Sequence, residues 1–331
     1  MSESLPQLSL GAATFGLKSS NRAETFVRLQ GKDEVQPLMD LFKSFGYKEV
    51  DTARIYTDSE AALGELDKSS LADLRISTKV HPFITPLTIE NILQQFDESL
   101  AALGVENVDL LYLHHPDDKT PIEESLEGVD ILYKQGKIRR FGLSNHSPSQ
   151  VDEIVSICKS KGYIAPTMYQ GLYSPIARTG YLEIRDLLKK HGIHYYAYGI
   201  MAAGLLTGKN KFDEEPKEDA RLHSTSFLSG HLRERYWHRE VFAALDLLAK
   251  AAEKEGIPFA QATNRWMRHH SGLTKEDGIL VGASSFKQLE QNLLDLEMGP
   301  LSPTLVDAYE NAWKSVEHRR IAAPGSSDKV K

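Results

Sequence analysis

Eight short apolar segments, each running into a helical pattern, constrain this chain more than any other feature of its sequence. They lie near residues 8, 48, 75, 108, 138, 167, 194 and 279. Strands that alternate with helices form a parallel sheet, because a parallel neighbour can be reached only through a crossover. Eight such units predict an α/β fold, a (β/α)8 TIM barrel with long loops at its C-terminal face. The competing open doubly wound sheet needs a glycine-rich turn after the first strand, and Gly11-Ala12-Ala13-Thr14 has no G-x-G-x-x-G. Residues 1–331 are read as one barrel domain, and the Pro-, Gly-, Ser- and Lys-rich tail, about 322–331, is expected to fray.

Between the strands, Val35, Leu38, Met39, Phe42 and Phe45 keep the helical period until Gly46 stops it. Further helices are expected over 89–103, 151–159, 181–190 and 241–255. Thr57-Asp58-Ser59-Glu60 has the form of a capping box, and so do Thr120-Pro121-Ile122-Glu123, Ser147-Pro148-Ser149-Gln150 and Ser285-Phe286-Lys287-Gln288. A long polar loop is expected from Gly204 to Tyr236, where loops of that length serve as lids or binding loops.

Three strand ends carry chemistry. The first, Glu49-Val50-Asp51, passes into Thr52-Ala53-Arg54-Ile55-Tyr56; the second stops at Lys79 and the third at His114. In a barrel of this kind the active site is assembled at those ends. The alternation in Ile76-Ser77-Thr78-Lys79 puts the lysine inside the barrel if the isoleucine faces the helices, and an interior lysine requires a partner, which Asp51 supplies. A phenol is a weak acid, with an ordinary pKa of roughly 10, so Tyr56 as a proton donor calls for a neighbouring cation, and Lys79 is expected to lower it. His114 would orient a substrate oxygen, whereas alternation turns His115 the other way. Each residue also has a plain explanation: a turn cap, a half-buried aromatic, a solvated strand end, a buried histidine. Together they make an acid able to protonate an oxygen that gains charge, as in carbonyl reduction.

Composition narrows the class. The formal net charge of −7, without a long basic run, excludes nucleic acid as the main partner. The single cysteine, Cys158, excludes an intrachain disulfide or a cysteine metal cluster and fits a reducing compartment. No stretch of about 18 apolar residues occurs, so no membrane is expected, and the protein is read as cytoplasmic, a monomer or homodimer.

Several motifs together resemble the aldo-keto reductases, closest to the aflatoxin-aldehyde and succinic-semialdehyde reductase subgroup: Asp51-Thr52-Ala53 with Tyr56, Ser77-Thr78-Lys79, Leu113-His114-His115-Pro116-Asp117, Gly142-Leu143-Ser144-Asn145, Tyr169-Gln170-Gly171, Gly204 to Lys209, Arg235-Tyr236-Trp237 and Ser284 to Asn292. The resemblance implies an NADPH-dependent reductase of small carbonyl compounds, with Asp51, Tyr56, Lys79 and His114 as the catalytic group. It implies that Ser144, Asn145 and Gln170 hold the nicotinamide amide and that Tyr198 backs its ring. Met201, Ala203, Leu205, Gly208 and Lys209 would follow the pyrophosphate, while Arg221, Gly282, Ser284, Gln288, Gln291, Asn292 and Asp51 complete the NADP(H) set. Many relatives place an arginine near Gln288, a departure that weakens the preference for NADPH. Phe15, Tyr56, His114, Arg235 and Trp237, with His81, are expected to line the substrate pocket. Two other functions compete: a cofactor-sensing regulatory subunit of the same superfamily, and a barrel lyase using Lys79 as a Schiff base.

Overall fold

The computed structural model describes residues 5–21, 27–218, 220–226 and 229–323. Eight parallel strands close into a barrel. They are β1 (Gln7–Gly11), β2 (Glu49–Asp51), β3 (Arg75–Val80), β4 (Val108–Leu113), β5 (Ile138–Ser144), β6 (Met168–Leu172), β7 (His194–Tyr198) and β8 (Gly278–Gly282). Each pairs with its sequence neighbours, and β8 closes the ring on β1 with Gln7 opposite Gly278. Two additional two-residue strands, Phe15–Gly16 and Leu29–Gln30, pair with each other in the loop after β1.

Alternation along the strands builds two layers. Val50, Ile76, Leu111, Leu113, Ile279 and Val281 face outward into the core shared with the helices. Leu110, Tyr112, Met168, Tyr196 and Leu280 form a smaller cluster inside the barrel. Tyr112 fits there because β5 offers Gly142 beside it, where a β-carbon would stand 2.5 Å from the tyrosine ring.

The helices expected from periodicity are present as Lys32–Ser44, Ile89–Leu103, Pro148–Lys161, Thr179–His191 and Arg239–Lys254. Ser147 and Gln150 form both halves of a capping box. Ser285 forms half of one, because the Gln288 side chain accepts from Ser284 instead. The other two expected boxes are absent. Thr57 adopts a left-handed backbone (φ 46°), the helix starts at Ser59, and the Glu60 carboxylate turns inward to Thr78 Oγ1 at 2.6 Å. Pro121 takes the cap position before the helix Ile122–Lys134, one residue after Thr120, with no side-chain cap bond.

The expected loop from Gly204 to Tyr236 is not loop throughout: it opens within a 3₁₀ stretch, Ala202–Thr207, and closes in the helix Ser229–Tyr236. At the C-terminal end, Ile321 and Ala323 are buried, and residues 324–331 lie outside the described residues. Among the described residues no helix is long and apolar enough to cross a membrane.

Candidate active site

β2 delivers Asp51 to the C-terminal mouth of the barrel, after which the chain stays stitched to β3: Thr52 N–H donates to Ser77 O at 2.9 Å and Arg54 N–H to Lys79 O at 3.0 Å. Tyr56 follows in a turn closed by its own N–H on Ala53 O and by Ser59 N–H on Tyr56 O. Ser59 Oγ bonds Ala12 O at 2.7 Å and Thr52 Oγ1 at 2.8 Å, which ties the turn to β1 as well. The left-handed backbone at Thr57 is unusual for a β-branched residue and stores strain beside the phenol.

Lys79 has no exposed surface, and its Nζ donates to Asp51 Oδ1 at 2.5 Å and to Thr52 O at 2.7 Å. The other Asp51 oxygen accepts from Gln170 Nε2 at 2.8 Å. The ammonium also stands 5.1 Å from the centre of the Tyr56 ring, and the His114 ring meets that ring edge-on at 5.5 Å. Thus Asp51, Tyr56, Lys79 and His114 share one small volume, as the strand-end reading expects.

Their electrostatics differ from that reading in one respect. Burial pushes the Lys79 ammonium down and the Asp51 carboxyl up, and each charge holds the other against that push. Because Lys79 is matched by Asp51, the Tyr56 phenol is not lowered. Burial raises it, the Asp51 carboxylate raises it further, and Arg221 alone counters. Tyr56 is therefore held firmly protonated. Burial, together with Lys79, His81 and His115, pulls His114 well below the ordinary histidine range, so its ring is neutral. Its Nδ1 is buried with no hydrogen-bond partner among the described residues.

Beside this group, β5 to β7 supply a polar shelf. Asn145, also left-handed (φ 60°), donates to His114 O and to Ser144 Oγ, both at 3.0 Å, and accepts from Tyr198 Oη at 2.9 Å. Arg235 acts electrostatically on Tyr198. Further along, Ala202, Ala203 and Gly204 are consecutive left-handed residues, in a turn closed by Ala202 N–H on Gly199 O at 2.8 Å and Gly204 N–H on Met201 O at 2.9 Å. Met201 and Ala203 are half-buried and Gly208 and Lys209 exposed, whereas the Leu205 side chain is in the core.

Residues 7–314 match the aldo/keto reductase family model. The chain belongs to that family. It is 39% identical over 290 residues to mouse aflatoxin B1 aldehyde reductase member 2, an alignment covering 84% of this chain and 79% of the relative. It is equally similar to human aldo-keto reductase family 7 member A3, at 39% over 290 residues, with 84% and 88% coverage. A fungal relative, oxidoreductase sirO of Leptosphaeria maculans, is 34% identical over 320 residues, covering 94% and 95%.

Within this aldo/keto reductase the remaining expected residues fall in two places. After β8, Gln288 Oε1 accepts from both the N–H and the hydroxyl of Ser284 at 2.8 Å, Gln291 turns to Asp295, and Asn292 Nδ2 donates to Gly282 O at 3.2 Å. The segment is thus braced by its own amides. Toward the mouth, Arg221 acts electrostatically on Tyr56. Of the expected pocket residues, Phe15 is buried, and Trp237 packs with Phe212 and Phe242 at 6.4 and 4.8 Å.

Sequence reasoning missed three participants. Buried Glu60 links Thr78, the neighbour of Lys79, to Arg54 in the Tyr56 turn at 3.3 Å. Arg28 reaches the electrostatic environment of Arg221. Phe83 stands beside His81, which in turn meets the His114 ring, and beside His115. β4 ends at Leu113, and the alternation ends with it.

Proposed function

We propose that this chain is an NADPH-dependent oxidoreductase that reduces aldehydes or ketones to alcohols, with Tyr56 as general acid. The observation that carries the reading is the buried Asp51–Lys79 ion pair lying under the Tyr56 ring with the neutral His114 ring edge-on to it. The relatives named as aldehyde reductases support the same substrate class.

The residues fit a dinucleotide. Ser144, Asn145 and Tyr198 make a hydrogen-bonded shelf next to the catalytic group, and exposed Lys209 offers a charge to a pyrophosphate. When bound, NADPH supplies a hydride to the carbonyl carbon. The protein's part is then to neutralise the oxygen. Tyr56, kept protonated by burial and by Asp51, gives up its proton only when a stronger base forms beside it, as an alkoxide does. Lys79 steadies the resulting phenolate, and Asp51 keeps the lysine charged. His114, neutral, can donate a hydrogen bond that sets the direction of the carbonyl. The Schiff-base alternative is disfavoured because Lys79 Nζ is engaged by Asp51 and Thr52, so its nitrogen is no free nucleophile. Recognition of a 2′-phosphate falls to Arg221 and Lys287, since Ser284 donates both its N–H and its hydroxyl to Gln288.

Titration of the protein's intrinsic fluorescence with NADPH and with NADH tests the reading. NADPH is expected to quench at lower concentration, and Arg221→Ala to narrow the difference. Quenching by neither cofactor contradicts it.

A further inference from the structure

Tyr56 sits in an arc of chain between Arg54 and Glu60, and both ends of that arc are fastened to the strand that carries Lys79. At one end Arg54 N–H donates to Lys79 O at 3.0 Å, and at the other Glu60 Oε1 accepts from Thr78 Oγ1 at 2.6 Å. The two ends are also fastened to each other, because Arg54 Nη1 donates to the second Glu60 oxygen at 3.3 Å. The phenol therefore hangs from a closed ring of contacts whose base is Thr78-Lys79.

Each side of this ring is held from outside as well. Arg54 Nε and Nη2 donate to one oxygen of Glu98, at 3.2 and 3.1 Å, and Gln94 donates to the other at 3.0 Å; Glu98 and Gln94 belong to the helix Ile89–Leu103. Glu60 lies in the first turn of the helix Ser59–Gly64. At the other end of that helix, Gly64 comes so close to Ala102 O, on Ile89–Leu103, that a side chain there would collide.

The Glu60 side chain is only 2% exposed. A buried carboxylate is costly even when paired, and an apolar side chain would fill the same space without that cost, so burial alone does not account for it. What the carboxylate supplies is direction: one oxygen reaches the strand of Lys79 and the other the chain just before Tyr56. Between the two fastened ends, Thr57 keeps its left-handed backbone (φ 46°), a conformation that persists only where the surroundings over-determine it. The same carboxylate favours the charged form of Lys79.

We propose that Glu60 is a positioning residue for the reduction: with Arg54 it forms a clasp that fixes the Tyr56 phenol against Lys79. The inference rests on the reductase reading above. Opening the clasp frees one end of the arc, lets the strained turn at Thr57 relax and moves the phenol out of line with the carbonyl oxygen, and small misplacements of a reacting group are costly in rate.

The test is kcat and KM for 4-nitrobenzaldehyde, with NADPH, in the wild-type protein, Glu60→Gln, Arg54→Met and the double variant. Glu60→Gln keeps the shape and an oxygen for Thr78 but removes the charge that holds Arg54, whereas Arg54→Met keeps the aliphatic stem and leaves the Glu60 charge in place. The clasp predicts that kcat falls about tenfold in each single variant while KM for the aldehyde and quenching by NADPH stay as in the wild type. It also predicts that the double variant falls no further than the slower single one, since all three have lost the same contact. A wild-type kcat in either single variant, or losses that multiply in the double, overturns the clasp. Loss of NADPH quenching in the single variants also overturns it, because Glu60 would then serve the barrel as a whole. A wild-type protein that does not reduce the aldehyde overturns the reductase reading, and the clasp with it.

Discussion

Lys79 Nζ lies 2.5 Å from Asp51 Oδ1 and 5.1 Å from the centre of the Tyr56 ring, so one buried ion pair links two barrel strands directly beside the phenol proposed as the acid. Its effects on stability and on the phenol are separable. Removing one partner of a buried pair leaves an uncompensated charge and costs about 3–5 kcal/mol, whereas replacing both with uncharged groups of similar volume is often close to neutral. Asp51→Asn alone is therefore expected to destabilise by about 3 kcal/mol in urea unfolding, and the double variant Asp51→Asn with Lys79→Met to recover most of that loss. Reductase activity should be lost in both. A double variant that regains stability and activity together would show that the pair is only structural.

His81 and His146 give the protein a pH-dependent stability. Burial brings both down to about 4, with His115 nearby adding to the effect. In the unfolded chain both titrate at about 6.5. As pH falls below about 6.5, the unfolded state takes up protons that the folded state refuses until about 4. Stability is therefore complete above that upper value and declines between the two. Each histidine accounts for a loss on the order of 2 kcal/mol at pH 5. Urea unfolding at pH 7 and pH 5 checks this: His146→Gln should lose less stability over the interval than the wild-type protein, and identical losses would contradict the account.

The fold was legible because the strands carry short apolar or alternating patterns punctuated by turn residues, and the alternation in Ile76-Ser77-Thr78-Lys79 alone turned the lysine inward. Ile76 does lie in the layer under the helices, and Lys79 inside. The misread helix starts have a tertiary cause: Thr78 draws Glu60 inward, and the chain spends Thr57 on a left-handed turn rather than on a cap. The helix Ser229–Tyr236 was hidden because only Ser229 and Tyr236, at its two ends, are buried along it, leaving no apolar stripe to detect. In the site, the Asp51–Lys79 pairing followed from strand geometry, but the protonation of Tyr56 depended on burial and on which charge stands nearer, which spacing does not encode. Phe83 gave no signal at all, being a single aromatic in an irregular loop whose meaning comes from ring distances to His81 and His115.

The most direct test of the account is NADPH oxidation in the presence of 4-nitrobenzaldehyde, measured for the wild-type protein and Tyr56→Phe with cofactor binding followed by fluorescence quenching. Loss of the phenolic proton should lower kcat by about 10²- to 10⁴-fold while quenching by NADPH is retained. A Tyr56→Phe protein that reduces the aldehyde at the wild-type rate would contradict the assignment of Tyr56 as the acid, and with it the central claim.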